Sequence, residues 1–300
     1  MNTNNETSSS SRPVAIVTGA TGIIGPALCD RLTKEGWAVA ACGSSEKSFI
    51  EHRKVTGQDI NCATQIYADL SKHDECVAIV QSTQERLGPV KLLINNATAN
   101  DGRRLYMEAT PDFLERMVDV NFLAPIYLAQ ACYEDLKKTR GGVINIGSVQ
   151  SLKLMHGKGI YASLKAALEK MTETMALEWG LEGIRVNSIR VGSVPGDAFL
   201  RPVLKQLPEE QAMLLRKDIL PRHISESGRS SLVGRAGLPE DIANAVAFLI
   251  SDQASFVQGA VIPVDGGFVH NPEAYVSKST WNRQDAIQEW LSEKGINITL

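Results

Sequence analysis

Two side chains suited to proton transfer lie four residues apart. Tyr161 and Lys165 belong to a segment with helical periodicity, and this spacing puts both on one helix face. A free tyrosine has a pKa of about 10, too high for a general base at neutral pH. A nearby ammonium group favours the phenolate and lowers that pKa. The pair is therefore a candidate acid–base couple, although Tyr and Lys at this spacing are also common on helix surfaces.

Two further polar residues are candidates for the same site. Ser148 closes a strand-like run, Val143–Gly147, and its hydroxyl is placed to hydrogen-bond a substrate oxygen. Asn121 lies inside a long helical segment, where an amide is unfavourable unless it has a polar task. Ser148 alone could simply cap a strand. Only the joint arrangement of the four residues behind a phosphate-binding turn indicates catalysis.

That turn follows the first strand-like run. Gly19, Gly22 and Gly25 occur at intervals of three and lead into helical sequence. The first glycine permits a tight exit from the strand, the second lets backbone approach a pyrophosphate, and the third lets helix and strand pack closely. The helix N-terminus offers unpaired N–H groups and a positive dipole end. We therefore predict a dinucleotide site rather than a purely structural turn.

The end of the second strand decides which dinucleotide binds, because NAD-binding chains place an acid there for the ribose 2′-hydroxyl. Neither Gly43 nor Ser44 is acidic, so no carboxylate repels a 2′-phosphate at these positions. Ser44, Ser45 and Lys47 are candidates to bind that phosphate. Glu46 is the competing ribose ligand, but it is better placed to open the next helix. We predict NADP, with NAD as the second choice.

Short apolar runs alternate with segments of helical periodicity, and most runs are continuously apolar, as parallel strands covered on both faces are. The predicted strands are Val14–Thr18, Ala38–Cys42, Ala63–Tyr67, Leu92–Asn95, Val143–Ile146, Arg185–Arg190 and Ala260–Val264. The predicted helices are Ile24–Glu35, Lys72–Leu87, Pro111–Lys138, Ile160–Leu181, Val203–Ile219, Pro239–Ile250 and Trp281–Lys294. Such repeated units predict an α/β fold with a doubly wound parallel sheet of about seven strands and helices on both faces.

One catalytic domain, residues 13–269, accounts for most of the chain. Residues 1–12 are rich in Asn, Ser and Thr and are expected to form a disordered leader. Residues 196–235 are a long insertion that we expect to act as a substrate lid. Residues 270–300 are a tail with one helix, whose apolar side is expected to dock on a neighbouring subunit.

The composition narrows the choice of function. The net charge of −3, from 31 basic and 34 acidic residues, gives no reason to expect nucleic acid or an anionic membrane as partner. No apolar run approaches the roughly 20 residues of a membrane-spanning helix. The five cysteines never occur in a CxxC spacing. We therefore expect neither a metal site nor a disulfide framework, and a reducing, cytoplasmic location.

Together these motifs resemble the short-chain dehydrogenase/reductase family, in its compact single-domain branch. The resemblance covers residues 13–268, and Ser148 stands thirteen residues before Tyr161. The supporting motifs are Asn95-Asn96-Ala97, Asp119-Val120-Asn121, Tyr161/Lys165, Arg185-Val186-Asn187-Ser188-Ile189, Gly234-Arg235, Pro239-Glu240-Asp241-Ile242-Ala243 and Val264-Asp265-Gly266-Gly267.

The resemblance implies a Rossmann-type fold and an oxidoreductase that interconverts an alcohol and a ketone or aldehyde. Tyr161 would be the acid–base group, and Lys165 would lower its pKa and hold the ribose. Ser148 would orient the carbonyl oxygen, and Asn121 would support a water relay. The implied cofactor contacts are Gly19, Thr21, Gly22, Ile23, Ile24, Gly25, Ser44, Ser45, Asp69, Leu70, Asn96, Ala97, Tyr161, Lys165, Gly192 and Val194.

Three positions depart from the family pattern. Ile23 stands where the compact branch has glycine, which gives the glycine spacing of the branch containing epimerases and dehydratases. Val191 replaces a proline after the sixth strand, so the sequence does not predict the path of the substrate loop that follows. Thr98 replaces the glycine after Asn-Asn-Ala and is expected to narrow the pocket wall. A cofactor-retaining epimerase or dehydratase is one alternative. A non-catalytic NADP-binding sensor is another, which retention of Tyr161 and Lys165 argues against.

The substrate is defined only in outline, as a small carbonyl or alcohol compound. The loops expected to form its pocket carry basic residues together with apolar ones. The basic residues are Arg103, Arg104, Lys153, His156, Lys158 and Arg201. They indicate either solvated loop charge or a polar substrate such as a sugar acid or keto acid. The helices Pro111–Lys138 and Ile160–Leu181 are apolar over most of their surface, which together with the resemblance suggests a homo-oligomer, a dimer or a tetramer.

Overall fold

The strand-like runs of the sequence form one parallel sheet. The computed structural model describes residues 12–100, 103–204, 206–272 and 283–298. The strands are β1 (Val14–Thr18), β2 (Ala38–Gly43), β3 (Thr64–Tyr67), β4 (Val90–Asn95), β5 (Gly142–Ser148), β6 (Arg185–Val191) and β7 (Val261–Val264). Their order across the sheet is β3-β2-β1-β4-β5-β6-β7, and every neighbouring pair is parallel.

Helices cover both faces of this sheet. They are α1 (Gly25–Lys34), α2 (Glu46–Thr56), α3 (His73–Leu87), α4 (Pro111–Val118), α5 (Ala124–Thr139), α6 (Gly159–Trp179), α7 (Arg201–Leu204), α8 (Glu209–Arg229), α9 (Pro239–Ile250) and α10 (Arg283–Glu293). Within the described ranges, no helix combines the length and the apolar character needed to cross a membrane.

The central strands are apolar on both sides because both sides are covered. In β1, Ile16 belongs to a core cluster with residues of α3, α5 and α6. Its neighbours Ala15 and Val17 belong to a second cluster with residues of α1 and α9. Successive side chains of a strand point to opposite faces of the sheet. A strand between two helical layers therefore needs apolar residues at every position, and all five residues of β1 are buried.

The chain order places a binding crevice at one edge of the sheet. β1 and β4 are neighbours, but α1 after β1 and α5 after β4 contact different core clusters, on opposite faces. Ligands of open α/β sheets bind at the carboxyl ends of the strands where such a reversal occurs. The glycine turn after β1, the loop after β4 and Ser148 at the end of β5 all lie at this edge.

The predicted seven strands and the parallel α/β fold are confirmed, with strand ends shifted by at most two residues. The predicted helical segment Pro111–Lys138 is helical without a break from Pro111 to Thr139, but it is not α-helical throughout. α4 and α5 are separated by a π-helical turn, Asp119–Leu123, which contains Asn121. The helix α2 was not among the predicted helices, although Glu46 was expected to open a helix at this point. Glu46 is the first residue of α2.

The insertion after β6 and the tail pack on each other. A single helix over Val203–Ile219 is not formed, because Pro208 adopts an extended ψ of 151° and caps α8 at its start. Ile287, Trp290 and Leu291 of α10 share a small core with Leu215 of α8 and its neighbours. The Trp290 indole Nε1 donates to Asp218 Oδ2 at 2.8 Å. The apolar side of the tail helix therefore packs on the insertion of its own chain, and the expectation that Ile287, Trp290 and Leu291 dock on a neighbouring subunit is wrong.

Two expectations fall partly on residues that are not described. The leader, residues 1–12, lies outside the described residues except for Arg12. Trp281 and the following residue, which were predicted to open the tail helix, also lie outside them. The described part of that helix ends at Glu293, and Gly295 follows with a φ of +68°. A glycine in this left-handed conformation is a common helix terminator, as the sequence predicted.

Candidate active site

Tyr161 and Lys165 lie in the first two turns of α6 and share one face, as their spacing predicted. The Lys165 Nζ is 5.7 Å from the centroid of the Tyr161 ring. Lys165 is 3% exposed, and its ammonium donates to the carbonyl oxygen of Ile146 at 2.8 Å. Because Ile146 belongs to β5, this bond fixes the lysine against the central sheet.

Burial shifts both pKa values of this pair. It lowers the pKa of Lys165 to about 8, against the opposing charge of Glu169. It raises the pKa of Tyr161, while hydrogen bonds with the hydroxyls of Ser148 and Thr98 act in the opposite direction. Desolvation disfavours the charged form of each group. Lys165 was expected to lower the pKa of Tyr161. In the protein without cofactor, burial has the larger effect and raises this pKa, so the phenol stays protonated.

Ser148 is brought directly to Tyr161. It is the last residue of β5, and its hydroxyl lies near enough to the Tyr161 hydroxyl to act against the rise in the pKa of that phenol. The Ser148 Oγ also accepts the backbone N–H of Gln150 at 3.2 Å. That contact uses a lone pair, so the Ser148 hydrogen is free to donate to the phenol oxygen or to a substrate oxygen beside it.

Asn121 has the polar task that its helical position predicted. Its side chain is 1% exposed and lies in the π-helical turn between α4 and α5. The Asn121 Nδ2 donates to the backbone oxygens of Ala99 at 3.0 Å and Met117 at 2.9 Å. The Asn121 Oδ1 accepts the Thr98 hydroxyl at 2.6 Å. The amide therefore fixes the loop after β4, and π-helical turns are often found at functional sites.

Thr98 has contacts that were not foreseen. Its hydroxyl donates to Asn121 Oδ1, and it also lies near enough to Tyr161 to act against the rise in the pKa of the phenol. The only indication in the sequence was that Thr98 replaces a glycine of the family pattern. A pocket-narrowing side chain was expected there, and the hydrogen bonding depends on the π-helical turn, which the sequence did not predict.

The glycine turn has the close packing that a phosphate cradle requires. Gly19 has a φ of +63°, and a Cβ there would lie 2.8 Å from the Cα of Ala97. A Cβ at Gly25 would lie 2.4 Å from the carbonyl oxygen of Gly19. α1 begins at Gly25, and no side chain caps its N-terminus. Its first N–H groups thus lack side-chain partners, which is the arrangement that binds an anion.

Asn96 holds this cradle in place. Its Nδ2 donates to the carbonyl oxygens of Thr18 at 2.8 Å and Gly19 at 3.1 Å. The hydroxyl of Thr18 accepts the backbone N–H groups of Asn96 and Ala97, each at 3.0 Å. The start of the loop after β4 is therefore locked to the glycine turn. Asn96 and Ala97 border the cradle, where the family resemblance expected them.

The region predicted to select the cofactor lies at the end of β2. Ser44 and Ser45 are exposed, and the Ser45 Oγ caps α2 by accepting the Ser48 N–H at 3.3 Å. Lys47 is exposed and lies 3.9 Å from Glu51. At the end of β3, the carboxylate of Asp69 accepts the N–H and the hydroxyl of Ser71 at 3.1 and 2.9 Å. Asp69 thus stabilises its own turn at the carboxyl edge of the sheet.

The sequence left the path of the loop after β6 undetermined. In the structure this loop runs from the end of β7 to the glycine turn after β1. A Cβ at Gly192 would lie 2.5 Å from the Cα of Asp265, so this loop packs tightly against the end of β7. A Cβ at Gly196 would lie 2.7 Å from the Ile23 side chain of the glycine turn. Val194 lies between these two contacts in sequence and packs on Gly237. The insertion that follows β6 therefore starts beside the glycine turn.

Lys153, Lys158 and Arg104, three of the basic residues of the pocket loops, contact the protein itself. Lys158 is 8% exposed and donates to Asn100 Oδ1. Lys153 donates to the backbone oxygen of Phe268 at 3.2 Å. The Arg104 guanidinium lies 4.5 Å from the ring centroid of Phe113. Solvated loop charge is therefore the wrong interpretation for Lys153 and Lys158. These contacts join the loops around the site.

The fold and the site define an α/β protein with a glycine-rich turn after β1 and, at the same edge of the sheet, a half-buried tyrosine beside a buried lysine. The enoyl-(acyl carrier protein) reductase family model matches residues 19–269. A 3alpha-hydroxysteroid dehydrogenase from Mediterraneibacter gnavus is 31% identical over 264 residues, which are 84% of this chain and 95% of that protein. The 3-oxoacyl-[acyl-carrier-protein] reductase from Pseudomonas aeruginosa is 31% identical over 258 residues, 85% of this chain and 96% of that one.

A solved structure agrees with these matches. A mutant short-chain dehydrogenase/reductase from Serratia marcescens, with two phenylalanines replaced by leucine, superimposes with a TM-score of 0.69 at 28% identity, covering 86% of this chain and 98% of that chain. The chain belongs to the short-chain dehydrogenase/reductase family. It is an NAD(P)-dependent oxidoreductase acting on CH–OH or carbonyl groups. The similar proteins named above are dehydrogenases and reductases, so the alternative of an epimerase or dehydratase is not favoured.

Proposed function

We propose that this enzyme interconverts a small alcohol and its ketone or aldehyde, with Tyr161 as the proton donor and acceptor. The position of Tyr161 beside the buried Lys165, with the Ser148 hydroxyl near enough to act on the pKa of the phenol, is the observation that carries this proposal. When bound, the nicotinamide cofactor supplies or accepts the hydride. The protein must therefore orient the carbonyl group and move one proton.

The residues divide these tasks. In reduction, the Tyr161 O–H gives its proton to the carbonyl oxygen, and in oxidation the phenolate takes the proton of the alcohol. Ser148, whose hydrogen is free, donates to the same substrate oxygen and orients it. Lys165 holds the cofactor ribose, and Asn121 fixes the loop that closes the site behind the tyrosine. The burial of Lys165 strengthens the electrostatic interactions of its ammonium group.

A panel of carbonyl and alcohol compounds, followed at the nicotinamide absorbance band, tests this function. We include sugar acids and keto acids, since the basic residues of the pocket loops suggested a polar substrate as one possibility. Glucose 1-dehydrogenase 2 of Bacillus subtilis, a relative at 30% identity, makes sugars a second group to include. Net, stoichiometric turnover of added cofactor supports the proposal. Release of a tightly held cofactor without net turnover would instead indicate an epimerase or dehydratase.

We further propose NADP as the cofactor. The cradle N–H groups at the start of α1 would hold the pyrophosphate, and Ser44, Ser45 and Lys47 would meet the 2′-phosphate. The exposed serines at the end of β2 support this choice, as does the position of Glu46, which opens α2. Thr21, Ile23 and Ile24 in the turn, Asp69 and Leu70 after β3, and Gly192 and Val194 after β6 would complete the contacts.

NADPH is expected to bind more tightly than NADH, because only NADPH carries the ribose 2′-phosphate that the Ser44–Lys47 segment would bind. Fluorescence titration with both reduced cofactors measures the preference. Replacing Ser44 by aspartate is expected to weaken NADPH binding by about tenfold or more and to leave NADH binding similar or better, since the new carboxylate repels the phosphate. Tighter binding of NADH by the unmodified enzyme would overturn the assignment.

We propose that the enzyme is a cytoplasmic homo-oligomer, a dimer or a tetramer. Leu177 near the end of α6 is 81% exposed, and Leu181 just after it is fully exposed. Exposed apolar residues at the end of a long helix indicate a contact surface. All five cysteines are unpaired, which fits a reducing compartment. Light scattering at micromolar concentration should give an integral multiple of 32.6 kDa, and a monomer would contradict the assembly.

A further inference from the structure

We propose that Glu169 is a positioning residue for Ser148. Its carboxylate is held by Arg190 and acts on Ser148 through the hydroxyl of Ser151. The inference rests on the proposed role of Ser148, whose hydroxyl orients the substrate oxygen. Glu169 and Arg190 have no part in the proposed proton transfer, yet they form a largely buried ion pair on the helix that carries Tyr161.

The ion pair between Glu169 and Arg190 joins helix α6 to strand β6. Arg190 donates to both carboxylate oxygens, from Nε to Oε1 at 2.9 Å and from Nη2 to Oε2 at 2.8 Å. The side chains of Glu169 and Arg190 are 10% and 16% exposed. Two parallel bonds between planar groups fix the orientation of the carboxylate as well as its position. The carboxylate therefore has a defined direction in which to accept a further hydrogen bond.

Ser151 connects this carboxylate to Ser148. The Ser151 hydroxyl lies 2.7 Å from Glu169 Oε1 and 2.8 Å from the carbonyl oxygen of Ser148. The hydroxyl has one hydrogen, which the two oxygens share as a three-centre bond. The Arg190 Nε lies 3.2 Å from the oxygen of the same hydroxyl. The backbone of Ser148 is therefore fixed to α6 and β6 through a single side chain.

The direction of the Ser148 side chain depends on the turn that Ser151 holds. Ser148 ends β5 and leads into a short 3-10 turn, Val149–Ser151. The Ser148 Oγ accepts the backbone N–H of Gln150 at 3.2 Å. Both the backbone and the hydroxyl of Ser148 are thus bonded to this turn, and a shift of the turn would carry the hydroxyl away from the substrate oxygen. A misplacement of about 1 Å can slow a reaction about 100-fold.

Stability alone does not explain this ion pair. A buried ion pair loses hydration that its attraction only partly restores, and apolar side chains of similar size are often as stabilising or more so. The packing leaves room for the carboxylate. A Cβ at Gly147, the residue before Ser148, would lie 3.1 Å from Ser188 Oγ and 3.5 Å from Glu169 Oε1. The bonded side chains join the end of β5 to α6 and β6, so they set the spacing between Ser148 and the helix that carries Tyr161.

Ser151→Ala removes the connection to Ser148 and leaves the ion pair in place. We expect it to lower kcat by about 3- to 30-fold, because the Ser148 hydroxyl is no longer held against the substrate oxygen. Ser151→Thr keeps the hydroxyl and should restore kcat. Glu169→Gln should lower kcat to a similar extent, since its amide nitrogen opposes a donor of Arg190. The Kd for NADPH, measured by fluorescence titration, should be unchanged in all three variants, because they leave the glycine turn intact.

A double-mutant cycle shows whether Ser151 acts through Ser148. Ser148→Ala removes the hydroxyl that is being positioned, and its kcat should be lower than that of Ser151→Ala. Adding Ser151→Ala to Ser148→Ala should cost no further activity, because the group that Ser151 holds is already gone. If the two losses multiply instead, Ser151 acts on another part of the enzyme and the inference is overturned. The cycle leaves the ion pair intact and stays decisive if Glu169→Gln does not fold.

Ser251→Ala is the matched control, because the Ser251 hydroxyl also donates to the carbonyl oxygen three residues earlier, that of Phe248, at 2.8 Å. This variant should keep a normal kcat. A normal kcat in a folded Glu169→Gln enzyme would overturn the role of the carboxylate. Normal turnover in Ser148→Ala would overturn the proposed role of Ser148 together with this inference. A slow Ser148→Ala enzyme beside a normal Ser151→Ala enzyme would overturn the inference alone.

Discussion

Tyr161→Phe is expected to lose nearly all turnover in both directions while it keeps its fold and its cofactor affinity. The substitution removes only the hydroxyl, and the ring keeps its contacts with Ala99, Met117 and Val120. General acid–base groups contribute about 100- to 10,000-fold to rates, so kcat should fall by at least this order. Initial rates with saturating cofactor and substrate measure the loss.

Two controls make this result specific. Thermal melting and NADPH fluorescence titration should match the unmodified enzyme, since the change leaves the core and the cradle intact. Tyr133→Phe removes a phenol hydroxyl on α5 that bonds Glu182, and it should retain normal activity. If Tyr161→Phe kept more than about a tenth of normal turnover, the proton would travel through another group.

The pH dependence of the unmodified enzyme gives a second readout of Tyr161. Oxidation needs the phenolate, so its rate should rise as pH increases through the Tyr161 pKa. Reduction needs the phenol and should fall over the same range. Burial raises this pKa in the protein alone. The nicotinamide ring of the oxidised cofactor is cationic. Bound near the phenol, it would favour the phenolate and lower the pKa of Tyr161. Oxidised cofactor should therefore move the oxidation profile to lower pH than a spectroscopic titration of Tyr161 without cofactor.

The fold was largely predictable because its main signal is local. Strands covered on both faces must be apolar at successive positions, and β1 and β2 show this directly in the sequence. The glycine turn was predictable for a related reason. Gly19 and Gly25 each occupy a place where a Cβ would meet backbone, and only glycine fits there.

The remaining features depend on tertiary contacts that the sequence does not display. A π-helical turn adds one residue within a helix, and the residues around Asn121 read equally well as α-helix. α2 buries only Phe49 and so shows little periodicity. The spacing in the sequence predicted that Lys165 lies beside Tyr161, but it did not predict that Lys165 is buried. The low pKa of the lysine follows from that burial alone.

Lys165→Met is expected to lower activity and cofactor affinity together. Methionine keeps the length of the side chain but removes the ammonium that would hold the ribose. Hydrogen bonds to charged groups contribute about 1.5–3 kcal/mol, so the Kd for NADPH should rise by about 10- to 100-fold. kcat/KM should fall by at least the same factor, since the charge beside Tyr161 is lost as well. Unchanged NADPH affinity would contradict the ribose contact.

The same variant should be more stable than the unmodified enzyme. Burial lowers the pKa of Lys165 to about 8, below the value of about 10.4 in an unfolded chain. The unfolded state therefore binds more protons between these two pH values, and the free energy of unfolding rises with pH across this window. At pH 7 the folded enzyme carries the full cost of a buried ammonium. Methionine removes that cost, which should raise the free energy of unfolding by about 1–2 kcal/mol.

The pH dependence distinguishes this explanation from a simple change in packing. Denaturant unfolding of the unmodified enzyme should show a stability gain between about pH 8 and 10 that is missing in Lys165→Met. Lys170→Met, at an exposed lysine on the same helix, is the matched control and should leave both the stability profile and the activity unchanged. A variant that is less active and also less stable at pH 7 would show that the ammonium and its bond to Ile146 stabilise the fold. Lys165 would then be a structural residue, and the ribose contact would have to be assigned elsewhere.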